Sequence, residues 1–253
     1  MEEKGVRDST DVFVVSDHGF STIRRSIDVV ALLNNAGFHA AKQFSDNPNP
    51  GDILVAGNGG TALFYVHEHD RKVIQRLVDW LQHSDFAGMI FTREKFEGTF
   101  SLTDVHIDSQ NNADVVLSFR GSEEKNHFGV AGLIDADWNR KAGEGTHATL
   151  SRFDINNTFV AAGPDFRRGS ETWDPTGNID IAPTILAIFG TNVSTSMDGR
   201  RLDNGMDGQL EGQRIGTRTL DVGYGKWRAR VEITSFGSST YIEAEKPLPQ
   251  ASN

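Results

Sequence analysis

The residues best suited to metal chemistry form the segment Ser16-Asp17-His18-Gly19-Phe20. A carboxylate and an imidazole that are adjacent on a tight loop can both reach one divalent cation. Oxygen and nitrogen ligands together favour zinc, manganese or iron over calcium, and Gly19 allows a sharp backbone turn beside an ion. The alternative is an ordinary strand end, with Asp17 in an Asx turn and His18 in a hydrogen bond. This segment by itself does not decide between the two interpretations.

A second candidate metal ligand is His147, which lies in the glycine-flanked segment GEGTHA at 143–148. A single loop histidine is a weak signal. The sequence HEH at 67–69 has the i, i+2 spacing of some metal ligands, but it precedes Asp70, a typical helix N-cap, and we interpret it as an exposed helix start. The glycine-rich 57–60 lacks the Lys-Ser/Thr of a phosphate loop and is interpreted as a turn.

The sequence alone assigns no catalytic nucleophile. Ser16 lies beside Asp17 and His18, but the members of a catalytic triad converge from separate segments, and no Gly-x-Ser-x-Gly elbow is present. The chain contains no cysteine, which excludes cysteine nucleophiles, thiolate zinc sites and disulfides. The catalytic residues therefore stay unassigned.

Charge and composition restrict the class of partner. The formal net charge is −10 and the pI is about 5.2, which argues against a nucleic-acid-binding surface because a phosphate backbone requires a positive face. The chain lacks a run of about 18 apolar residues, so we expect no membrane-spanning helix. The polar N-terminus, MEEKGVRDSTD, predicts no signal peptide.

The elements that must position these residues alternate between strands and helices. Apolar runs predict strands at 11–16, 52–57, 61–66, 87–93, 113–120 and 158–163, the first and last of them buried. Helical spacing and end signals predict helices at 27–36, 70–82 and 180–189. Residues 121–145 are polar and irregular, which suits a long functional loop or an inserted flap. From about residue 217 the alternation of apolar and polar residues predicts an antiparallel ribbon.

This order predicts an α/β fold with an open, partly parallel sheet, flanking helices and antiparallel strands at the C-terminal end. Ligands of such sheets bind at the carboxyl ends of strands. We therefore expect the loop with Asp17 and His18 and the loop with His147 to share one rim of the sheet.

The motifs, taken together and in order, resemble one family. They are SDHGF, LVDWLQ…AGMIFTR, ADVVLSFRG, GTHATLSRFDINNTFVAAGPDFRRG, GNIDIAPTILAIFG and MDGRRLD. This order is similar to that of the type I phosphodiesterase/nucleotide pyrophosphatase branch of the alkaline-phosphatase superfamily. The resemblance covers roughly residues 11–205, and the tail beyond about residue 210 is outside it.

The resemblance implies a pair of divalent ions, commonly zinc, at the C-terminal rim of a central sheet. It implies that Asp17 and His18 bind the ion nearer the nucleophile. His147 is implied as a ligand of the other ion, alongside an Asp and a His from an earlier motif. In this family a threonine or serine attacks phosphorus and forms a covalent phospho-enzyme, which water then hydrolyses.

The chain departs from the family pattern at its N-terminal side. The family places its first metal aspartate, its nucleophile and an Asp/His pair before the SDHG element, whereas 16 residues precede Asp17 here. We therefore expect an alkaline-phosphatase-like domain at 1–210 that is incomplete at its N-terminal side, followed by an antiparallel β tail at 211–253. A smaller departure, which we expect to be mild, is Ala148, where the family often has glycine.

The predicted function is metal-dependent hydrolysis of a small phosphate ester. The upstream nucleophile half is expected to be missing from this chain, so the chain alone should show little turnover. The alternative is a catalytically inactive remnant that acts as a metal-binding or partner-binding domain. A sulfatase or a phosphate-transferring mutase of the same superfamily is a third interpretation. The leaving group, the native metal and the oligomeric state stay open. The compartment does too, since relatives are often exported or membrane-attached.

Overall fold

The computed structural model describes residues 4–191, 196–202 and 215–243, which form 15 strands and four α-helices. In chain order the strands are β1 (Val12–Val15), β2 (Ser21–Ser26), β3 (Ala40–Ala41), β4 (Ile53–Asn58), β5 (Thr61–Val66), β6 (Ala87–Thr92), β7 (Phe100–Ser101), β8 (Val115–Phe119), β9 (Gly121–Lys125), β10 (Ala131–Ala136), β11 (Gly145–Thr146), β12 (Phe159–Ala162), β13 (Ile215–Tyr224), β14 (Trp227–Phe236) and β15 (Ser239–Ile242). The helices are α1 (Val29–Asn35), α2 (Arg71–Gln82), α3 (Arg152–Ile155) and α4 (Ile181–Ile188). No helix of these residues is both long and apolar enough to cross a membrane.

The chain divides into two compact units. Unit 1 contains the described residues within Met1–His18, Asn157–Thr219 and Glu232–Glu243. Unit 2 contains those within Gly19–Asn156, Leu220–Val231 and Ala244–Asn253. Among the described residues, the largest fully buried side chains all belong to unit 2, and they include Phe64, Leu77, Met89, Leu117 and Phe119. The main hydrophobic core therefore lies in unit 2. The predicted division of the chain near residue 210 stays a prediction.

The largest sheet lies in unit 2 and has the strand order β3-β4-β5-β8-β6-β7. β4 and β5 form a hairpin whose register pairs Asn58 with Thr61, so a two-residue glycine turn joins them, as the sequence predicts. The outer pairs β3–β4 and β6–β7 are parallel, and the inner pairs are antiparallel. The predicted α/β class, with a mixed sheet and separate antiparallel C-terminal strands ordered β13-β14-β15, is confirmed.

Two helices of unit 2 follow their sequence signals. The helix predicted at 27–36 is α1, and Gly37 follows it in the left-handed conformation with φ +80°. At the start of α2 the Asp70 side chain accepts hydrogen bonds from the backbone N of Lys72 at 2.8 Å and of Val73 at 3.3 Å. The apolar stripe of α2 is buried through Ile74, Leu77, Val78 and Leu81. Because capping and helical periodicity are local properties, both helices were predictable.

A four-stranded sheet in unit 2, ordered β11-β2-β10-β9, takes β9 and β10 from the region predicted to be a loop or flap. That prediction for 121–145 is wrong. β9 is an edge strand whose polar sequence, GSEEK, is mostly exposed, so it lacks the apolar alternation that indicates a strand. β2 pairs in parallel with β10 and antiparallel with β11, and Ser21 lies opposite Thr146 in the second pair.

The two-stranded sheet of unit 1 pairs β1 with β12 in antiparallel register. Both strands were predicted and are confirmed, but the prediction that they are buried is wrong. Val14 is 60% exposed and Val160 is 56% exposed. An apolar run indicates a strand by local preference, whereas its burial depends on what packs against the sheet. In the same unit, the predicted helix at 180–189 is α4, with Pro183 in its first turn.

Candidate metal centre

Asp17 and His18 lie in the loop that follows β1 in unit 1. Asp17 Oδ2 is 3.4 Å from His18 Nε2, and the backbone N of His18 donates to Asp17 Oδ1 at 3.2 Å. The Asp17 side chain is 83% exposed and that of His18 is 34% exposed. Two ligand atoms that each lie about 2.0–2.1 Å from a tetrahedral ion are roughly 3.3–3.4 Å apart. The spacing of this carboxylate and imidazole therefore fits two ligands of one ion.

A pair of asparagines holds the backbone of this loop. Asn157 Nδ2 donates to the carbonyl oxygen of Ser16 at 2.9 Å and to Asn178 Oδ1 at 2.5 Å. Asn178 Nδ2 in turn donates to the carbonyl oxygen of Asp17 at 2.5 Å. The Ser16 hydroxyl accepts a hydrogen bond from the backbone N of Thr158 at 2.8 Å. The sequence analysis missed both asparagines, because neither spacing nor local pattern relates them to a loop about 140–160 residues earlier.

The hydroxyl groups ahead of β1 are engaged in local hydrogen bonds. Ser9 and Thr10 both donate to the carbonyl oxygen of Val6, at 3.2 Å and 2.6 Å. A residue activated for attack on phosphorus requires a neighbouring base or a metal ion that lowers its pKa. The catalytic nucleophile stays unassigned.

His147 lies in unit 2, in the loop that follows β11. Its ring centroid is 6.2 Å from that of Phe20, and the two rings are tilted by 31°. A Cβ atom at Gly145 would overlap the ring of Phe20. Glycine at this position therefore allows the loop to pack against the residue that ends the SDHGF segment.

The glycine turn between β4 and β5 also supports this loop. The backbone N of Gly60 donates to the carbonyl oxygen of His147 at 2.7 Å. A Cβ atom at Gly60 would lie 2.8 Å from that oxygen and 2.7 Å from the backbone N of Thr149. The sequence predicted a turn here. The structure shows in addition that Gly60, which has no side chain, allows the turn to approach the backbone of the His147 loop closely.

Ala148 has a φ of +81°, in the left-handed region that favours glycine. A Cβ atom makes this conformation unfavourable by roughly 1–2 kcal/mol for an L-residue. The Ala148 carbonyl oxygen accepts a hydrogen bond from the Thr61 hydroxyl, which helps to hold the loop in place. The replacement of the family's frequent glycine, expected to be mild, therefore introduces backbone strain directly after His147.

A buried carboxylate connects this loop to the start of β2. Asp154 is 2% exposed and accepts hydrogen bonds from the Ser21 hydroxyl at 2.5 Å and from the backbone N and hydroxyl of Thr149 at 2.9 Å and 2.6 Å. Its carbonyl oxygen accepts from the backbone N of Gly19 at 2.7 Å. The sequence analysis missed Asp154, since nothing in the local pattern separates it from an ordinary helix residue.

The described residues contain no group of three or more His, Cys, Asp or Glu side chains arranged to hold a metal ion. Asp17 and His18 belong to unit 1 and His147 to unit 2, and their joint role as metal ligands stays a prediction. His67–His69 form a single 3-10 turn before α2, in agreement with the predicted helix start.

The protein has a mixed α/β fold, and its adjacent Asp17–His18 pair is a candidate divalent-cation site on the loop that follows β1. The family model of type I phosphodiesterases / nucleotide pyrophosphatases matches residues 1–125. This match supports the resemblance found in the sequence, and the matched family generally uses divalent metals. The match includes Asp17 and His18, whereas His147 lies outside it. No solved structure matches the chain.

Proposed function

We propose that the chain contributes to a metal-dependent hydrolase of phosphoric esters, of the phosphodiesterase/nucleotide pyrophosphatase type. In this proposal Asp17 and His18 bind one divalent ion, of which zinc suits the ligand atoms best. His147 is a ligand of a second ion. The substrate is a small phosphate ester.

The observation that carries the proposal is the 3.4 Å spacing between Asp17 Oδ2 and His18 Nε2. The ligand atoms need no backbone rearrangement to meet one ion, and the hydrogen bonds from Asn157 and Asn178 hold the loop in this conformation. These hydrogen bonds reach backbone carbonyls, and they restrict the conformation of the loop that carries both ligands. The candidate site is therefore preorganised on the protein side.

The inclusion of His147 rests on the resemblance of its GTH segment to the family motif. Within unit 2, the His147 ring is a neighbour of the Phe20 ring. The Asp154 hydrogen bonds join the strand after Phe20 to the residues after His147. When bound, divalent ions would supply Lewis-acid stabilisation of the phosphoryl oxygens. The protein's contribution is to orient the carboxylate and the imidazoles.

Zinc titration of the full chain by calorimetry tests this assignment. We expect one Zn²⁺ to bind at this pair, with His18→Ala and Asp17→Asn each weakening that binding by at least about tenfold. His147→Ala should leave this first affinity nearly unchanged, because His147 is assigned to the other ion. The matched control is His127→Ala, which removes an exposed imidazole of unit 2. An unchanged affinity in both His18→Ala and Asp17→Asn would contradict the assignment.

Turnover of bis(4-nitrophenyl) phosphate tests the catalytic part of the proposal. We expect little metal-dependent hydrolysis by this chain alone, because Ser9 and Thr10 donate locally and the nucleophile is not assigned. Robust turnover that disappears in His18→Ala would establish the metal site and overturn the expectation of a missing nucleophile.

A second candidate function is a non-catalytic domain that binds a metal or a partner. The exposed apolar side chains of Val14 and Val160 on the β1–β12 sheet favour it, since a contiguous exposed apolar face is typical of interaction surfaces.

A further inference from the structure

A histidine–aspartate pair lies in unit 2, in residues that the proposed metal centre does not use. His69 Nδ1 is 2.7 Å from Asp114 Oδ1, and Asp114 Oδ2 accepts a hydrogen bond from the backbone N of Val66 at 2.7 Å. Asp114 is 3% exposed, whereas the His69 side chain is 60% exposed. Because an ionised carboxylate only accepts, Nδ1 is the donor. The second ring nitrogen, Nε2, therefore faces away from Asp114.

The backbone that carries His69 is in an unusual conformation. Glu68 has φ +60° and His69 has φ +53°, two consecutive left-handed residues that are not glycine. Such conformations persist only where the surrounding structure enforces them, and they cluster at functional sites. Here the conformation places the His69 ring against Asp114.

A guanidinium group lies beside the outward nitrogen of His69. Arg93 NH1 is 3.5 Å from Nε2, too long for a strong hydrogen bond. Within the described part of the chain Arg93 forms no ion pair with a carboxylate. The neighbouring Glu94 is instead ion-paired with Arg71. The positive charge of Arg93 is therefore directed to the same place as the second ring nitrogen of His69.

These groups line a small cavity of about 130 Å³. Its lining residues are His69, Ile74, Arg93, Glu94, Phe96 and Asp114. Ile74 and Phe96 supply an apolar wall of the cavity. The guanidinium of Arg71, a residue of α2, lies 4.5 Å from the centroid of the Phe96 ring. The volume suits a ligand of a few heavy atoms rather than a nucleotide.

We propose that this cavity binds a small oxyanion, a phosphate or a carboxylate. One anion oxygen bridges the two groups by accepting hydrogen bonds from the Arg93 guanidinium and from His69 Nε2–H, whose nitrogen atoms lie 3.5 Å apart. Asp114 accepts from Nδ1 and holds the imidazole in place. The site is independent of the phosphoric-ester hydrolase function, because it shares no residue with Asp17, His18 or His147.

Titration of the full, metal-free chain with inorganic phosphate and, separately, with acetate tests the proposal. Calorimetry at pH 6, where an ordinary imidazole is largely protonated, reports the affinity. We expect saturable binding of at least one anion at one site. His69→Gln and Arg93→Gln should each weaken it by about tenfold or more, the loss of one charge-assisted hydrogen bond. The anion that binds more tightly shows whether the site prefers a phosphate or a carboxylate.

The matched controls are His83→Gln and Arg76→Gln, which replace an exposed histidine just after α2 and an exposed arginine of α2. His83 also lies near a carboxylate, 3.8 Å from Asp79 Oδ1, but it lines no part of this cavity. Both controls should keep the wild-type anion affinity. His69 and Arg93 are exposed, so circular dichroism is expected to show intact folding in their variants.

Absence of saturable binding for both anions would overturn the proposal. So would anion binding that is unchanged in both His69→Gln and Arg93→Gln. Phosphate binding that is lost in His18→Ala but kept in Arg93→Gln would place the anion at the proposed metal centre and also overturn it. Because that centre is probed with zinc and this cavity without metal, failure of one proposal is distinguishable from failure of the other.

Discussion

Asn157 and Asn178 are hydrogen-bonded to each other side chain to side chain, with 2.5 Å between Asn157 Nδ2 and Asn178 Oδ1. Each also donates to a backbone carbonyl of the Asp17 loop, Asn157 to Ser16 and Asn178 to Asp17. The two amide side chains therefore hold the backbone of the loop that carries the candidate ligands, and we expect their removal to lower zinc affinity.

The first prediction concerns Asn178→Ala. The substitution removes the donor to the Asp17 carbonyl and the acceptor for Asn157, so the loop loses part of its preorganisation. We expect zinc affinity to fall by about tenfold, as for other residues that position metal ligands. Competition with a chromophoric chelator measures this change.

Asn111→Ala, which truncates an exposed asparagine, is the control for loss of an amide side chain and should bind zinc like the wild type. If Asn178→Ala lowers the free energy of unfolding but leaves zinc affinity at the wild-type value, Asn178 is structural and does not position the ligands.

The second prediction concerns Ala148→Gly. At φ +81° glycine avoids the steric cost that alanine incurs, and we expect the free energy of unfolding to rise by about 1 kcal/mol. Urea unfolding followed by circular dichroism measures the difference.

Ala142→Gly is the matched control in the same region of the chain. Ala142 is not in the left-handed region, so glycine there only increases the entropy of the unfolded state and should lower stability by about 0.5–1 kcal/mol. Opposite signs for the two substitutions are expected. The same sign for both would show that Ala148 is not strained.

The third prediction concerns the pH dependence of stability through Tyr241. Its hydroxyl is 3.0 Å from both carboxylate oxygens of the fully buried Asp180. Burial, followed by the charge of Asp180, raises the pKa of Tyr241 from 10.0 to about 12. Between these values the unfolded chain releases the phenol proton while the folded chain retains it. The free energy of unfolding therefore falls as pH rises through this window.

Tyr241→Phe removes this contribution, and the wild type should lose about 1–2 kcal/mol more stability than the variant between pH 10 and pH 12. Urea unfolding at several pH values measures both proteins. Tyr224→Phe, which replaces a tyrosine that is 39% exposed, controls for the loss of one phenol. Parallel pH profiles for the wild type and Tyr241→Phe would show that the phenol of Tyr241 titrates alike in both states.

Features with a local physical cause were predictable from the sequence. Helix α2 follows from the Asp70 cap and an apolar stripe at helical spacing. The β4–β5 hairpin follows from two apolar runs separated by glycines. The order of the motifs indicated a family resemblance, which the match over residues 1–125 supports.

Features that depend on distant segments were not predictable. β9 was interpreted as part of a loop because an exposed edge strand carries no apolar alternation, and the buried β10 pairs with β2, more than 100 residues earlier in the chain. The burial of β1 was overestimated because the apolar run around Val14 does not reveal which segments pack against the strand. The histidine at 69 was interpreted as solvated, and its bond to Asp114 spans 45 residues.

By itself, the sequence indicated the α/β class, the family resemblance that the match over residues 1–125 supports, and the candidate ligands Asp17, His18 and His147. The tertiary structure alone decided that Asn157 and Asn178 support the Asp17 loop and that Ala148 is in the left-handed conformation. It also decided that His69 and Arg93 converge beside Asp114. The physical reason is the sequence separation over which each kind of interaction acts. Residue type and spacing encode preferences over one or two turns of chain, whereas these contacts join segments up to 161 residues apart, and only chain packing brings them together.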